Sequence, residues 1–217
     1  MYKGIIFDLD GTLLDTIETI AFYGNKALEK YGFEAIETDK YKYFVGDGAV
    51  QLIQRMLAFH GSHDEKTFKK VFDEYNALYN SDTFYKTTVY DGINELLKNA
   101  KGKGIKLAVL SNKPHEATID VIKRFFGENT FDFFYGARAG IPLKPDPTSA
   151  IMLAEELEIE KEEIVYVGDT SVDMKTGNGA GFYSVGVLWG FRDKKELEGS
   201  GADLIISHPS EILKLFK

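Results

Sequence analysis

Short apolar runs that end abruptly at polar residues recur along the chain and form its clearest pattern. Residues 5–7, 107–110 and 164–167 are rich in aliphatic and aromatic side chains, and each run is too short for a helix. Such runs are typical of strands buried on both faces of a parallel sheet. Three further strands are expected at residues 131–135, 184–189 and 204–206.

Between these strands the apolar positions recur at the spacing of helices. Helices are predicted at residues 91–101, 114–126, 148–157 and 210–216. Strands that alternate with helices indicate an α/β fold, a doubly wound parallel sheet with helices on both faces.

Residues 16–82 break this alternation, because helical periodicity continues there with no strand between the helices. The GDG sequence at 46–48 does not open a dinucleotide-binding fingerprint, since no third glycine follows at the required spacing. We therefore predict a helical insertion at residues 16–82 within a core domain made of residues 1–15 and 83–217.

The composition limits the classes of partner. The chain of 217 residues is 44% hydrophobic, and 34 acidic against 26 basic residues give a net charge of -8. Bulk attraction to nucleic acid or to an anionic membrane is therefore not expected, and local positive groups must hold any anionic substrate. The absence of cysteine excludes disulfides, thiolate zinc sites and cysteine nucleophiles. With no long apolar run and no leader-like start, we expect a cytoplasmic protein. The sequence leaves its oligomeric state open between a monomer and a homodimer.

Polar residues follow three of the predicted strands at the point where each strand ends. Asp8 and Asp10 follow the first strand, residues 111–113 follow the second, and Asp169 follows the third. Because the carboxyl ends of parallel strands lie along one edge of a sheet, these side chains are expected to converge. Lys144 is expected to join them, since the proline after it favours an extended conformation that fixes its direction.

Two neighbouring carboxylates need a reason to lie together. Alternation along a strand points Asp8 and Asp10 to the same side, where two ionised groups about 5 Å apart repel by about 3 kcal/mol at an effective dielectric constant near 20. A cation, a shared proton or a catalytic function would explain the pair, whereas a solvated acidic turn is the alternative for this motif alone. Three strand ends of the same kind favour a functional site.

The predicted cluster carries more negative than positive charge. Asp169 and Asp173 add to the first two aspartates, and only Lys113 and Lys144 oppose them. A divalent cation would balance this excess, and oxygen ligands favour Mg²⁺. A carboxylate can also act as a nucleophile and form an aspartyl-phosphate, while lysine and a serine hydroxyl orient the phosphoryl group.

Four motifs in order resemble the haloacid dehalogenase superfamily: DLDGTLLD at 8–15, Ser111, Lys144 within LKPDP, and GDTSVDMKTG at 168–177. The second aspartate, Asp10, favours the phosphatase branch, because the dehalogenases lack it. The helical insertion lies where this superfamily carries its C1-type cap, and the tail at 186–212 resembles the phosphoglycolate phosphatase group. The resemblance implies a Rossmann-like core with a helical cap that acts as a lid.

The resemblance also implies a role for each matching residue. Asp8 would be the nucleophile and Asp10 the general acid, and Mg²⁺ would be held by Asp8, Asp169 and the main-chain carbonyl of Asp10, with Asp173 behind them. The implied phosphate contacts are Thr12, Ser111, Asn112 and Lys144. From the residues alone other interpretations stay open, since Asp173 can be a helix N-terminal charge, Ser111 a helix cap, and Thr12 or Asn112 a turn residue.

The cap would then select the substrate, a small phosphorylated metabolite, with 2-phosphoglycolate expected. Candidate substrate contacts are Arg55, Gly46, Gly48 and Lys113, although each can equally be an ordinary surface or turn residue. A β-phosphoglucomutase-like phosphotransferase is the nearest rival, but Ala49 stands where that group usually has a cap arginine. Pyrophosphatase and nucleotidase activities stay open within the same motifs. A phospho-accepting signalling module and a catalytically silent binding protein are the alternatives of another class.

Overall fold

The computed structural model describes residues 1–216, so residue 217 of the predicted core lies outside the described part. The strands in chain order are β1 (Gly4–Phe7), β2 (Leu14–Asp15), β3 (Thr88–Val89), β4 (Lys106–Pro114), β5 (Phe133–Ala137), β6 (Ile164–Gly168), β7 (Tyr183–Val187) and β8 (Leu204–Ile206). Six of them form one parallel sheet in the order β5-β4-β1-β6-β7-β8, and β2 pairs with β3.

The helices lie between these strands. In chain order they are α1 (Ile17–Lys30), α2 (Thr38–Tyr41), α3 (Ala49–Phe59), α4 (Glu65–Ser81), α5 (Ile93–Gly102), α6 (His115–Phe126), α7 (Thr148–Leu157), α8 (Ser171–Ala180) and α9 (Lys194–Gly199). Short 3₁₀ helices occupy Lys161–Glu163 and Pro209–Leu215. Within the part of the chain that the structure describes, every helix is too short or too polar to cross a lipid bilayer.

Strand β1 lies at the centre of the sheet. Ile5 pairs in register with Leu107 of β4 on one side and with Val165 of β6 on the other. The chain runs outward from β1 through β4 to β5, and then returns to β6 on the opposite side. The strand order therefore reverses at β1, and ligands of open α/β sheets bind outside the carboxyl ends of the strands at such a reversal.

The two faces of the sheet are both covered by apolar side chains. Ile5 and Phe7 belong to one buried layer with Leu96 of α5, and Ile6 belongs to the opposite layer with Leu153 of α7. Successive residues of a strand point to opposite faces, so a strand covered on both sides must be apolar throughout. The prediction of a doubly wound parallel sheet with helices on both faces is confirmed.

Some element boundaries differ from those predicted. The aromatic run 131–135 begins as a strand only at Phe133, and β4 continues through residues 111–113 to Pro114. The chain closes in a 3₁₀ helix rather than an α-helix, consistent with the use of 3₁₀ geometry in short pieces. The short elements β2, β3 and α9 were not predicted, because two to six residues carry too little periodicity to detect.

The chain divides into two compact units. One unit contains Met1–Asp15 and the chain from Val89 onward, and therefore the six-stranded sheet. The other unit, Thr16–Thr88, contains α1 to α4 and extends past the predicted insertion end at residue 82. Within it the Thr19 hydroxyl lies 2.9 Å from the Thr87 hydroxyl, which ties the last residues of the unit to α1.

The helical unit has its own buried core. Tyr41 of α2 is fully buried, and its hydroxyl donates to the Asn25 side-chain oxygen of α1 at 2.8 Å. A Cβ at Gly24 would lie 2.6 Å from the Tyr41 hydroxyl oxygen, so only glycine permits this approach. The polar tip of the tyrosine is thus satisfied while its ring is buried, as large aromatic residues require.

Candidate active site

The carboxyl ends of β1 and β6 bring two of the predicted aspartates together. Phe7 pairs with Val167, and the Asp8 main-chain N–H then donates to the Val167 carbonyl at 2.8 Å. Asp169 follows directly after β6. Both side chains are buried, and each residue lies directly after a paired strand of the sheet.

Lys144 connects the strand end to helix α8. Its buried Nζ donates to Asp8 Oδ1 and to Asp173 Oδ1, each at 2.7 Å. Burial alone lowers the pKa of this amine, but the carboxylates of Asp173 and Asp8 outweigh that effect and raise it well above its ordinary value. The lysine is therefore held as an ammonium ion between two carboxylates.

Asp173 has two functions in the structure. Its Oδ2 accepts the Thr170 N–H at 3.0 Å and the Thr170 hydroxyl at 2.7 Å, a capping box at the start of α8. Its Oδ1 accepts from Lys144. Asp173 therefore caps helix α8 and also bonds Lys144, and its predicted place behind a metal ion stays a prediction.

Asp169 is fully buried and is oriented by two donors. Its Oδ1 accepts the Thr12 hydroxyl at 3.0 Å, and its Oδ2 accepts the Phe191 N–H at 2.8 Å. Burial, with a further contribution from the Asp173 charge, raises the pKa of Asp169 to about 7. Thr12, which the sequence predicts as a phosphate contact, donates to this carboxylate.

Asp10 and Lys113 form a second ion pair. Lys113 Nζ lies 3.0 Å from Asp10 Oδ1, and the Asp10 side chain is 20% exposed whereas that of Asp8 is 10% exposed. Gly11 follows Asp10 and has a φ of +93. A Cβ on this residue would lie 2.4 Å from Asp169 Oδ2. A glycine is required here because the backbone turns through left-handed space against a carboxylate.

The cluster contains more negative than positive charge. Ligand oxygens of Asp8, Asp169 and Asp173 lie within 4.8 Å of one another, and all three residues are buried. Burial, followed by the Asp173 charge, raises the pKa of Asp8 well above its ordinary value, although Lys144 opposes the shift. A set of oxygen donors that is short of positive charge fits a hard divalent cation.

Ser111 and Asn112 lie in β4 beside the cluster. The Ser111 hydroxyl accepts the Lys113 N–H at 3.1 Å. Asn112 Nδ2 donates to the Lys144 carbonyl at 3.0 Å, and the Lys144 N–H donates to Asn112 Oδ1 at 2.9 Å. Asn112, a predicted phosphate contact, thus bonds the main chain of Lys144, which is another predicted phosphate contact.

The family model of haloacid dehalogenase-like hydrolases matches residues 5–187. The chain belongs to this family. The matched range contains the polar strand ends described above and the whole helical unit. The predictions of this family, and of a phosphatase within it, are confirmed.

Relatives match the chain along almost its whole length. A phosphoglycolate phosphatase from Aquifex aeolicus (strain VF5) is 33% identical over 213 residues, which cover 97% of this chain and 95% of the relative. The crystal structure of a predicted phosphoglycolate phosphatase from Haemophilus somnus 129pt has a TM-score of 0.92 at 26% identity and covers 100% of this chain and 98% of its own. A β-phosphoglucomutase from Clostridium difficile has a TM-score of 0.76 at 25% identity, with coverages of 98% and 93%.

A segment that the site prediction missed contacts Asp169 and the turn that follows Asp10. Residues 189–191 follow β7, where the Trp189 indole N–H donates to the Thr12 carbonyl at 2.9 Å and the Phe191 N–H donates to Asp169. A Cβ on Gly190 would lie 2.3 Å from the Asp169 Cβ and 2.4 Å from the Gly11 carbonyl oxygen. Almost every residue carries a main-chain N–H group, so the sequence does not show which of them donates to Asp169. The WGF sequence at the end of a predicted strand was the only feature that pointed to this segment.

The predicted substrate contacts of the helical unit form a group of their own. Arg55 donates to the Phe44 carbonyl at 2.9 Å and pairs with Asp47 Oδ2 at 2.6 Å. Gly46 and Gly48 have φ values of +115 and +87, which explains why glycines flank Asp47. Arg55 therefore stabilises the loop before α3, and the Asp47 carboxylate of the same unit balances its charge.

Proposed function

We propose that the protein is a magnesium-dependent phosphomonoesterase that hydrolyses a small phosphorylated metabolite, 2-phosphoglycolate, through an aspartyl-phosphate. The observation that carries the proposal is the buried Asp8–Lys144–Asp173 chain of 2.7 Å contacts beside Asp169 at the reversal of the strand order. Such a site combines a fixed carboxylate with a fixed ammonium, and both are needed to transfer a phosphoryl group.

In the first step a carboxylate oxygen of Asp8 attacks the phosphorus, and the bond from phosphorus to the ester oxygen of the substrate breaks. Asp10 gives its proton to that oxygen, which leaves as an alcohol. In the second step a water molecule gives a proton to Asp10 and attacks the phosphorus. The bond from phosphorus to Asp8 then breaks, which restores the carboxylate and releases inorganic phosphate.

The remaining residues position the reacting groups. Lys144 holds Asp8 and, with the Ser111 hydroxyl, neutralises and orients the phosphoryl oxygens. Asp8, Asp169 and the main-chain carbonyl of Asp10 would hold Mg²⁺. When bound, the ion supplies positive charge to the carboxylates and to the phosphoryl group.

The substrate assignment is supported by the relatives that carry the name phosphoglycolate phosphatase. Asp8, Ser111 and Lys144 are all assigned to the phosphoryl group, so the rest of the substrate must be recognised elsewhere. We assign this recognition to the helical unit acting as a cap, with main-chain N–H groups at Gly46 and Gly48 and the Arg55 side chain as its candidate donors. Lys113, which pairs with Asp10, is the candidate from the sheet-containing unit.

A hexose-phosphate mutase is the second candidate, because the β-phosphoglucomutase from Clostridium difficile shares the fold. Mutase and phosphatase would use the same aspartate pair. Ala49 after Gly48 counts against the mutase, since the arginine usual at that point is absent.

A panel of phosphorylated metabolites assayed with and without Mg²⁺ tests the proposal. We expect 2-phosphoglycolate to give a higher kcat/KM than β-glucose 1-phosphate, pyrophosphate or nucleoside monophosphates. Chelation of Mg²⁺ should remove the activity. If β-glucose 1-phosphate is converted to glucose 6-phosphate, the mutase assignment replaces the phosphatase. If no phosphate is released from any compound, the hydrolytic assignment is wrong.

A further inference from the structure

We propose that Asn112 is a positioning residue that acts through Lys144 and sets the place of its ammonium group. The inference rests on the proposed function, in which Lys144 holds Asp8 and the phosphoryl group. It replaces the direct phosphate contact that the sequence predicts for Asn112.

The contact between the two residues is a pair of hydrogen bonds. Asn112 Nδ2 donates to the Lys144 carbonyl at 3.0 Å, and the Lys144 N–H donates to Asn112 Oδ1 at 2.9 Å. The side-chain amide therefore bonds a main-chain donor and a main-chain acceptor, as a neighbouring peptide group would. Both residues are buried, so neither bond is exchanged readily for water.

The surrounding chain explains why Lys144 needs this support. It lies between the end of β5 at Ala137 and the start of α7 at Thr148, a stretch without helix or strand. Buried main-chain N–H and C=O groups outside regular structure need partners, and Asn112 supplies one to each group of Lys144. Asn112 itself belongs to β4, which pairs directly with β1, the strand that ends immediately before Asp8.

The same contact fixes the reacting geometry. The Lys144 side chain is buried and its amine bonds Asp8 and Asp173 together, so a shift of the Lys144 main chain would move the amine relative to both carboxylates. A displacement of about 1 Å in a catalytic group can cost about a hundredfold in rate. Through Asn112, the strand that carries Ser111 also sets the position of Lys144, so two phosphoryl-binding groups share one rigid support.

A double-mutant cycle separates positioning from direct contact. Asn112→Ala and Lys144→Gln are made singly and together, and the affinity for inorganic phosphate is measured by calorimetry. We expect Asn112→Ala to weaken phosphate binding roughly tenfold with Lys144 present and less than twofold in the Lys144→Gln background. An equal loss in both backgrounds would overturn the proposal, because it would show that Asn112 contacts phosphate itself.

Asn178→Ala is the matched control, since this asparagine also donates to a main-chain carbonyl, that of Gly201 at 2.9 Å. Its loss should leave phosphate affinity unchanged. If Lys144→Gln cannot be purified, a crystal structure of Asn112→Ala decides. A Lys144 amine displaced from Asp8 supports the proposal, and an unmoved amine overturns it. Absence of phosphatase activity in the wild type would contradict the proposed function alone, because neither measurement requires turnover.

Discussion

Replacing Asp169 by asparagine is expected to stabilise the metal-free protein and to abolish its response to magnesium. The change removes one negative charge from a buried cluster and preserves the shape of the side chain. The new carboxamide oxygen can still accept the Phe191 N–H, and its NH₂ group can donate to the Thr12 hydroxyl. The hydrogen bonds are therefore retained while the repulsion is lost.

The size of the effect follows from the distances in the cluster. The ligand oxygens of Asp8, Asp169 and Asp173 lie within 4.8 Å of one another. Two unit charges at that separation repel by about 3.5 kcal/mol at an effective dielectric constant near 20. Lys144 offsets part of this repulsion, since its ammonium bonds Asp8 and Asp173. We therefore expect Asp169→Asn to raise the free energy of unfolding of the metal-free protein by about 1–3 kcal/mol. For a chain of this length the gain corresponds to a rise in Tm of about 2–12 °C.

The pH of the experiment decides how much of the gain appears. The pKa of Asp169 is raised to about 7, chiefly by burial, so the folded wild type holds its proton more tightly than the unfolded chain. The stability of the wild type therefore falls as pH rises from the unfolded pKa of about 4 towards 7. At pH 8 the destabilisation is fully present, and the difference from the variant is largest there.

Thermal unfolding at pH 8 is measured in EDTA and then with excess Mg²⁺. The wild type should gain about 2.7 kcal/mol when free magnesium is a hundred times its dissociation constant, and Asp169→Asn should gain almost nothing. Asp132→Asn is the control, because Asp132 accepts the Leu107 N–H at 2.9 Å and a bond from Lys106 at 3.1 Å, outside the cluster. That variant should lose stability and keep the magnesium response. A lower metal-free Tm for Asp169→Asn would refute the repulsion argument, and an undiminished magnesium shift would refute the ligand assignment.

Three further changes test the reacting groups and their support. Asp8→Asn should reduce turnover by several orders of magnitude with the fold intact by circular dichroism, because an amide is no nucleophile; retention of more than about one per cent of the activity would remove that assignment. Asp10→Asn should lower kcat about 10²- to 10⁴-fold while calorimetric magnesium affinity persists, and loss of that affinity would make Asp10 a side-chain ligand. Gly190→Ala, whose Cβ would lie 2.3 Å from the Asp169 Cβ, should weaken magnesium binding. Gly199→Ala, whose Cβ would meet no atom of residues 1–216 within 4 Å beyond its own stretch of chain, should not; equal effects would contradict the positioning of Asp169 by this segment.

The strand ends could be predicted because the sheet itself brings them together. An apolar run followed by Asp8, and another followed by Asp169, needs only a parallel sheet to place both aspartates at one edge. The place of Lys144 beside Asp8 was predictable from its motif. Hydrophobic periodicity alone does not locate this residue, because it lies between β5 and α7. The hydrogen bonds from Phe191 to Asp169 and between Asn112 and the Lys144 main chain were not predictable in this way. The Phe191 N–H is present in any residue except proline, and an asparagine in a strand does not reveal which main-chain groups it will bond.

The prediction for Arg55 shows a second limit of the sequence. An arginine in a helical insertion near two glycines is consistent with substrate binding, and the sequence does not reveal that Asp47 lies 2.6 Å from it. Charge partners that lie several residues apart depend on how the intervening loop folds, here through two glycines at positive φ. Candidate binding residues outside the sheet edge therefore stay predictions until substrate specificity is measured.

The two ion pairs give the neighbouring aspartates Asp8 and Asp10 different surroundings, which supports the different functions proposed for them. Asp8 bonds Lys144, a buried lysine from the segment after β5, whereas Asp10 pairs with Lys113 from β4 and is the more exposed of the two. Catalytic carboxylates take different functions when their environments differ. A fixed, buried carboxylate suits attack on phosphorus in a set geometry, and a partly exposed one can exchange protons with a leaving group and with water. The lysine partner of each aspartate comes from a different segment of the chain, so the surroundings of Asp8 and of Asp10 are set independently.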